Sequence, residues 1–160
     1  MALSHLPVGG QAGLMDTPAL TALLSRTSFG ASLAPDTRAR LAALGRVIDL
    51  PKGHLVIHQG TPSQDLGLLL SGRIALRLGP PGKQDRTIQT LEAGDVFGWS
   101  TLLPSAIATS TAITLAPSRA ILFEGSGLRT AVAIDYELAT AIYHRLFASV
   151  ARRLEPNRTV

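Results

Sequence analysis

Short apolar runs separated by glycine-containing turns make up the middle of the chain. In two of them, Ile74–Leu78 and Thr87–Leu91, large apolar residues alternate with small or polar ones, as in a half-buried antiparallel strand. The turns recur at roughly the 8–12-residue spacing that is typical of short strands in a sandwich or barrel. We therefore predict a mainly β fold, with strands at Arg46–Leu50, Leu55–His58, Leu66–Leu70, Ile74–Leu78, Thr87–Leu91, Thr111–Leu115 and Ala120–Phe123.

Helical periodicity is confined to the two ends of the chain. Near the N-terminus the pattern predicts short helices over Pro18–Leu24 and Pro35–Leu44. A longer helix is predicted from Asp135, which suits an N-cap, to Leu154, just before Pro156. Its apolar face is broad because two rows of apolar residues run side by side, Leu138, Ile142 and Leu146 in one row and Tyr143, Phe147, Val150 and Leu154 in the other. One row suits the domain's own sheet and the other a second subunit.

Composition narrows the class of protein. A chain of 160 residues is the size of one domain, and with 46% hydrophobic and 16% charged residues it can bury a core. The absence of cysteine excludes disulfides, cysteine-ligated metals and a thiol nucleophile. No apolar run approaches the ~20 residues that a bilayer requires, and the first residues lack the pattern of a signal peptide. We expect a cytoplasmic protein without a membrane partner, with a flexible leader over residues 1–16 and one domain over residues 17–160.

Candidate catalytic and metal-binding residues do not group into a recognisable site. His54 and His58, on one predicted strand, would have Cα atoms about 13 Å apart, which is too far to share one metal ion. No P-loop and no Gly-x-Ser-x-Gly motif is present, and the carboxylates lie mostly beside turns. We interpret Gly125-Ser126-Gly127 as a loop before the last helix. The sequence therefore predicts no enzyme, no metal site and no cofactor.

Two stretches together resemble one known family. The segment Lys52–Leu76, KGHLVIHQGTPSQDLGLLLSGRIAL, is similar to the kGe-x-i-x-x-x-G…S-G pattern that opens a cyclic-nucleotide-binding domain. The segment Leu91–Gly98, LEAGDVFG, is similar to the l-x-x-G-d-x-F-G run of the same family. The resemblance covers about residues 28–154 and is to the effector domain of catabolite-activator and Fnr-like regulators. It implies a jelly-roll-like β-roll, also described as a double-stranded β-helix, followed by a long C-terminal helix.

In this family the ligand site is the phosphate-binding cassette, which directly follows the Phe-Gly pair. The resemblance implies a short helix whose free N–H groups face a cyclic phosphate, with a Glu that binds the ribose and an Arg that pairs with the phosphate. Here Trp99 occupies the Glu position, and the Arg position falls on Thr109 or Ser110. From residue 96 to residue 118 no charged side chain occurs. The candidate ligand-binding residues are Gly98, Trp99, Ser100, Thr101, Thr109, Ser110 and Thr111.

The uncharged cassette leaves three questions of interpretation open. Trp99 is either a platform for a base or a plug that fills an unused pocket. The hydroxyl groups either form an anion site or stabilise turns, and Gly98 serves either close approach of a ligand or turn geometry. Loss of one charge-assisted hydrogen bond weakens binding about ten- to a hundredfold. We therefore expect a cyclic nucleotide, or another small anionic ligand, to bind weakly at most.

The resemblance implies a stand-alone regulatory or sensor module that signals through its C-terminal helix to a protein partner. We expect a homodimer with Tyr143, Phe147, Val150 and Leu154 at or near the seam. One alternative is a scaffold protein that needs no ligand, and another is a relative of transcription regulators that acts with a separate DNA-binding partner. Direct nucleic-acid binding is not expected, because the net charge of +4 is only mildly basic and no helix-turn-helix segment follows Leu154 in this sequence.

Overall fold

The computed structural model describes residues 11–13, 15–80 and 83–154. These residues form nine strands and five α-helices, together with a 3₁₀ helix. The strands are β1 (Gln11–Gly13), β2 (Gly45–Leu50), β3 (Leu55–Ile57), β4 (Asp65–Ser71), β5 (Ile74–Leu78), β6 (Arg86–Leu91), β7 (Val96–Phe97), β8 (Thr111–Thr114) and β9 (Ser118–Glu124). The helices are α1 (Thr17–Ser25), α2 (Ser28–Ala31), α3 (Pro35–Ala42), α4 (Gly125–Ile134), α5 (Tyr136–Leu154) and the 3₁₀ helix (Trp99–Leu102).

The strands pair antiparallel in two sheets, one in the order β1-β2-β9-β4-β7 and the other in the order β3-β8-β5-β6. One cluster of buried residues joins the two sheets and includes Leu69 of β4 and Leu76 of β5. This β-roll with flanking helices and a long C-terminal helix confirms the predicted fold class. Each of the predicted strands overlaps an observed one, and the structure adds β1 and β7.

β4, an inner strand of the larger sheet, is buried on both faces, which explains its sequence. Leu66 and Leu68 of β4 pack in the same cluster as Leu24 of α1 and Leu138 of α5. Leu69 belongs instead to the cluster between the sheets. A strand that is covered on both sides reads as a continuous apolar run, as β4 does, rather than as an alternation.

The prediction of a loop at Gly125-Ser126-Gly127 is wrong, because these residues begin α4. A Cβ at Gly125 would lie 2.2 Å from Thr101 Oγ1 and 2.4 Å from the Gln64 carbonyl oxygen. The Gly125 N–H group donates to that same carbonyl at 2.9 Å. Gly125 therefore allows the start of the helix to pack closely against its neighbours. The composition of the Gly-Ser-Gly segment alone resembles that of a flexible turn.

The segment that we assigned to the leader includes β1, which pairs with β2 so that Gln11 lies opposite Asp49. Asp16 then caps α1, because its carboxylate accepts the Ala19 N–H at 2.9 Å. Residues 1–10 lie outside the described part of the chain. The two predicted N-terminal helices are confirmed as α1 and α3.

The start of α5 is as predicted, with Asp135 as its cap. The Leu138 N–H donates to Asp135 Oδ1 at 3.1 Å, and the Arg40 guanidinium contacts Oδ2 of the same carboxylate at 2.6 Å. The hydrogen bond from Leu138 and the neighbouring Arg40 hold the pKa of Asp135 below its ordinary value. Asp135 is the single residue between α4 and α5, so the cap also marks the joint between these helices.

Candidate functional site

The cassette begins where β7 leaves the core. Phe97 of β7 lies opposite Gly67 of β4, and a Cβ at Gly67 would lie 2.1 Å from Cζ of the Phe97 ring. The ring therefore lies directly over the glycine, and Phe97 is only 1% exposed. This contact fixes the position at which Gly98 and the 3₁₀ helix emerge from the sheet.

Gly98 turns the chain from β7 into the 3₁₀ helix. Its φ of +74° lies in the left-handed region that side chains disfavour. A Cβ at this position would also lie 2.5 Å from the carbonyl oxygen of Asp65. Both constraints arise within the protein, so turn geometry and close approach to β4 explain this glycine without any ligand.

The second half of the cassette is attached to the turn before β4. The Ser63 N–H donates to the Ala106 carbonyl at 2.6 Å, and the Ala108 N–H donates to the Thr61 carbonyl at 2.9 Å. Ala106 has a φ of +51°, an uncommon conformation for a residue other than glycine. The loop that leads to β8 is therefore held against the turn before β4 by backbone hydrogen bonds.

Five of the seven predicted ligand residues line one small cavity in the cassette. They are Gly98, Trp99, Ser100, Thr109 and Ser110. The cavity volume is about 10 Å³, which is room for one water molecule. Pockets that bind small molecules typically measure about 300–1,000 Å³. The residues predicted for the site are thus brought together, but they enclose no space for a nucleotide.

The remaining two predicted residues do not line the cavity, and both have structural partners. Thr101 is completely buried, and its side chain accepts a hydrogen bond from Arg129 Nη1 at 3.0 Å. Thr111 accepts the Gln59 N–H at 3.1 Å. The hydroxyl of Ser100 likewise accepts the Thr109 N–H at 3.3 Å. The hydroxyl groups that the sequence offered for an anion thus hold parts of the protein together.

Trp99 both lines the cavity and packs against the core cluster beneath the helices. It is half-buried. The indole thus lies between the cavity and the core, and the plug and the platform for a base both stay predictions.

Arg129 of α4 is a site residue that sequence reasoning missed. Its Nη1 atom donates to the Thr101 carbonyl at 2.8 Å as well as to the Thr101 hydroxyl. A guanidinium hydrogen-bonded to a carbonyl in the cassette joins α4 to the 3₁₀ helix directly. No sequence signal pointed to this contact, because the two residues are 28 positions apart and α4 was not predicted.

The two predicted apolar rows of α5 have different environments. Leu138 and Ile142 are buried in the core, whereas Tyr143 is 48% and Phe147 75% exposed. The exposed row begins with Tyr136 at the first turn of the helix, which is 87% exposed. The side chains of Val150 and Leu154 lie outside the described part of the structure. We call the exposed residues Tyr136, Tyr143 and Phe147 the α5 stripe.

Over residues 11–13, 15–80 and 83–154, no group of three His, Asp or Glu side chains is placed to hold a metal ion. The backbone N–H of His54 donates a hydrogen bond to Thr114 Oγ1 at 2.8 Å, beside the paired strands β3 and β8. Within the same ranges no helix has both the length and the apolar content needed to cross a bilayer.

Comparison with known proteins matches this arrangement to a family. The family profile described as "Cyclic nucleotide-binding domain" matches residues 47–135, more than half of the chain. A "CRP-like cAMP-activated global transcriptional regulator" of Mycobacterium tuberculosis is 26% identical over 132 residues, which are 82% of this chain. The chain spans 57% of the length of that curated relative.

Solved structures share the fold. A protein of Geobacter metallireducens GS-15, described as cyclic nucleotide-binding, superposes with a TM-score of 0.73 at 23% identity, covering 89% of this chain and 100% of that one. The sensor domain of the transcriptional regulator DNR from Pseudomonas aeruginosa superposes with a TM-score of 0.68 at 21% identity, covering 90% and 97%. At these identities the likeness establishes the fold alone.

Proposed function

Because this chain belongs to the cyclic nucleotide-binding domain family, we propose that it is a regulatory module that signals through α5 to a second copy of the chain. The α5 stripe carries the proposal. Large apolar side chains gain free energy when a partner covers them, and a row of exposed aromatic residues marks an interaction surface. The other apolar row of the same helix is buried, which ties the stripe to the rest of the domain.

The spacing of the stripe supports a second α5 as its partner. Tyr136, Tyr143 and Phe147 are separated by seven and four positions, and Val150 and Leu154 continue the pattern in the sequence. An apolar repeat of 3.5 residues is the seam of two helices that coil around each other. A two-fold dimer brings the same surface of each copy together, so one stripe per chain suffices.

The contact between Arg129 and Thr101 supports a path from the cassette to α5. A displacement of the 3₁₀ helix acts on α4 through this contact, and α4 meets α5 at Asp135. A ligand changes the helices only if it binds their two positions unequally. A nucleotide needs the cavity to open first, and the free energy of opening reduces its apparent affinity.

The dimer is tested by sedimentation of the wild type and of Phe147→Glu. We expect the wild type to sediment as a dimer and Phe147→Glu as a monomer over the same concentration range, because the substitution places a charge in an apolar seam. Leu55→Glu is the matched control, since Leu55 is 50% exposed on β3 and is not part of α5. A monomeric wild type, or a dimer that survives Phe147→Glu, would refute the proposal.

A ligand-independent interaction module is the second candidate, and the cavity of about 10 Å³ favours it. Thermal unfolding with and without millimolar cyclic AMP or cyclic GMP separates the two candidates. A ligand at about a hundred times its dissociation constant adds about 2.7 kcal/mol, which shifts the midpoint by several degrees. No shift and no change in the fluorescence of Trp99, the one tryptophan of the chain, would favour the ligand-independent module. A shift would identify a cyclic-nucleotide sensor.

The relationship to transcription regulators supports a third possibility, in which the module acts on DNA through a separate partner. The curated relative is a transcriptional regulator by its name, and this chain spans 57% of its length. The dimer and the direction of the signal would be the same in that case, and the partner would carry the DNA-binding surface.

A further inference from the structure

Helix α3 begins without a capping side chain of its own. Its N-cap residue is Ala34, and no side-chain hydrogen bond is made from that position. Alanine is among the least favourable residues at an N-cap, because it has no oxygen to accept the free N–H groups of the first turn. Pro35 follows at the first helical position, where its missing N–H costs nothing.

Glu137 of α5 instead provides an acceptor for the N–H group of the N-cap residue itself. Its Oε1 atom accepts the Ala34 N–H at 3.0 Å, and its Oε2 atom accepts the Thr37 hydroxyl at 3.0 Å. In a capping box, a glutamate three residues into a helix folds back to the N-cap N–H of the same helix. Here Thr37 holds that position, and the carboxylate comes from a residue 103 positions away from Ala34.

The hydrogen bonds continue from Thr37 to the cap of α5. Arg40 Nη2 donates to the Thr37 hydroxyl at 3.2 Å, so this hydroxyl both donates and accepts. Arg40 also donates to Asp135 Oδ2 through Nε at 2.9 Å and through Nη2 at 2.6 Å. Asp135 in turn caps α5 through the Leu138 N–H. Residues of each helix thus take part in capping the other.

Thr37 is the buried member of this network, whereas Arg40 and Glu137 are exposed. Thr37 is 1% exposed and the Asp135 side chain 12%, although the Arg40 side chain is 57% exposed. Exposed pairs contribute little because water screens them and because two long side chains lose conformational freedom. A buried hydroxyl that loses its partners is costly, so the bonds to Thr37 favour one arrangement of the two helices.

We infer that Thr37, Arg40, Asp135 and Glu137 form a latch that fixes the first turn of α5 against α3. Glu137 is the positioning residue, since α5 cannot pivot at Asp135 without withdrawing the cap of α3. Any movement of α5 is therefore accompanied by fraying of residues 34–38. The inference rests on the proposed function only in that it takes α5 as the signalling helix.

Amide hydrogen exchange of the Glu137→Ala variant tests the latch. We expect exchange at residues 34–38 and 136–139 to become about five- to tenfold faster, as the loss of one or two hydrogen bonds predicts. Strands β4 and β9 should exchange as in the wild type. Thr37→Val, which keeps the volume and removes the hydroxyl, should accelerate the same two segments and should add little in combination with Glu137→Ala.

Arg119→Ala is the matched control. It removes the ion pair between Arg119 and Asp49, whose length of 2.9 Å is similar to the distances in the latch, but this pair joins β2 to β9 and not α3 to α5. Unchanged exchange at residues 34–38 in Glu137→Ala, or the same acceleration there in Arg119→Ala, would overturn the latch. Exchange is measured on dilute monomer as well as on dimer. A latch that responds as expected in a chain that never dimerises would refute the proposed function and leave this inference standing.

Discussion

Gly98→Ala is expected to destabilise the protein by about 2–4 kcal/mol. Two costs add at this position. The backbone has a φ of +74°, which a residue with a Cβ adopts only under strain, and the new methyl would lie 2.5 Å from the Asp65 carbonyl oxygen. The obstacle is backbone of a central strand, β4, so it cannot move aside as a flexible side chain does.

Gly94→Ala separates these two costs. Gly94 has a φ of +95°, but no atom lies within 4 Å of its Cβ position. We expect this control to lose only the backbone contribution, about 1–2 kcal/mol. The difference between the two variants in urea unfolding measures the close approach to Asp65. Equal losses of unfolding free energy in the two variants would show that a methyl group at Gly98 meets no internal obstacle. The interpretation that Gly98 allows close approach of a ligand would then be supported.

The double substitution Trp99→Glu with Ser110→Arg is expected to strengthen cyclic AMP binding by about ten- to a hundredfold or more. Removal of the indole enlarges a cavity that has room for about one water molecule, and the new side chains supply the charged contacts that the family resemblance implies. Ser110 is chosen because Thr109 is already bonded to Ser100, a contact that holds the cassette together. Isothermal titration of the purified variant measures the gain.

Two controls identify the source of any gain. Trp99→Ala enlarges the cavity without adding charge, and Ser110→Lys in place of Ser110→Arg adds charge without the two-pronged geometry of a guanidinium. We expect both to bind more weakly than the double variant. Equal binding by Trp99→Ala alone would show that the indole is the whole obstacle. If the variant with Thr109→Arg and Trp99→Glu binds cyclic AMP and the variant with Ser110→Arg does not, then Thr109, one residue earlier, occupies the position of the family's Arg.

The strands and the uncharged cassette were within reach of sequence reasoning because local chemistry determines them. Alternation in β5 and β6 and glycine at the turns follow from the geometry of a short strand, and each predicted strand overlaps an observed one. The absence of charged side chains from residue 96 to residue 118 can be read directly from the sequence. The buried and exposed rows of α5 follow from helical periodicity, as the burial of Leu138 and the exposure of Phe147 confirm.

The sequence by itself thus determined the class of fold, the order of seven of its strands, the neutral chemistry of the cassette and the two faces of α5, since each depends on neighbours within a few positions. Only the tertiary structure decided that Gly125 begins a helix, that Arg129 holds Thr101 and that Glu137 caps α3. The contacts of Arg129 and Glu137 join residues 28 or more positions apart in the chain, and no local preference encodes them. The tertiary structure also decided the volume of the cassette cavity, because the cavity is the space that remains after Trp99 and its neighbours have packed.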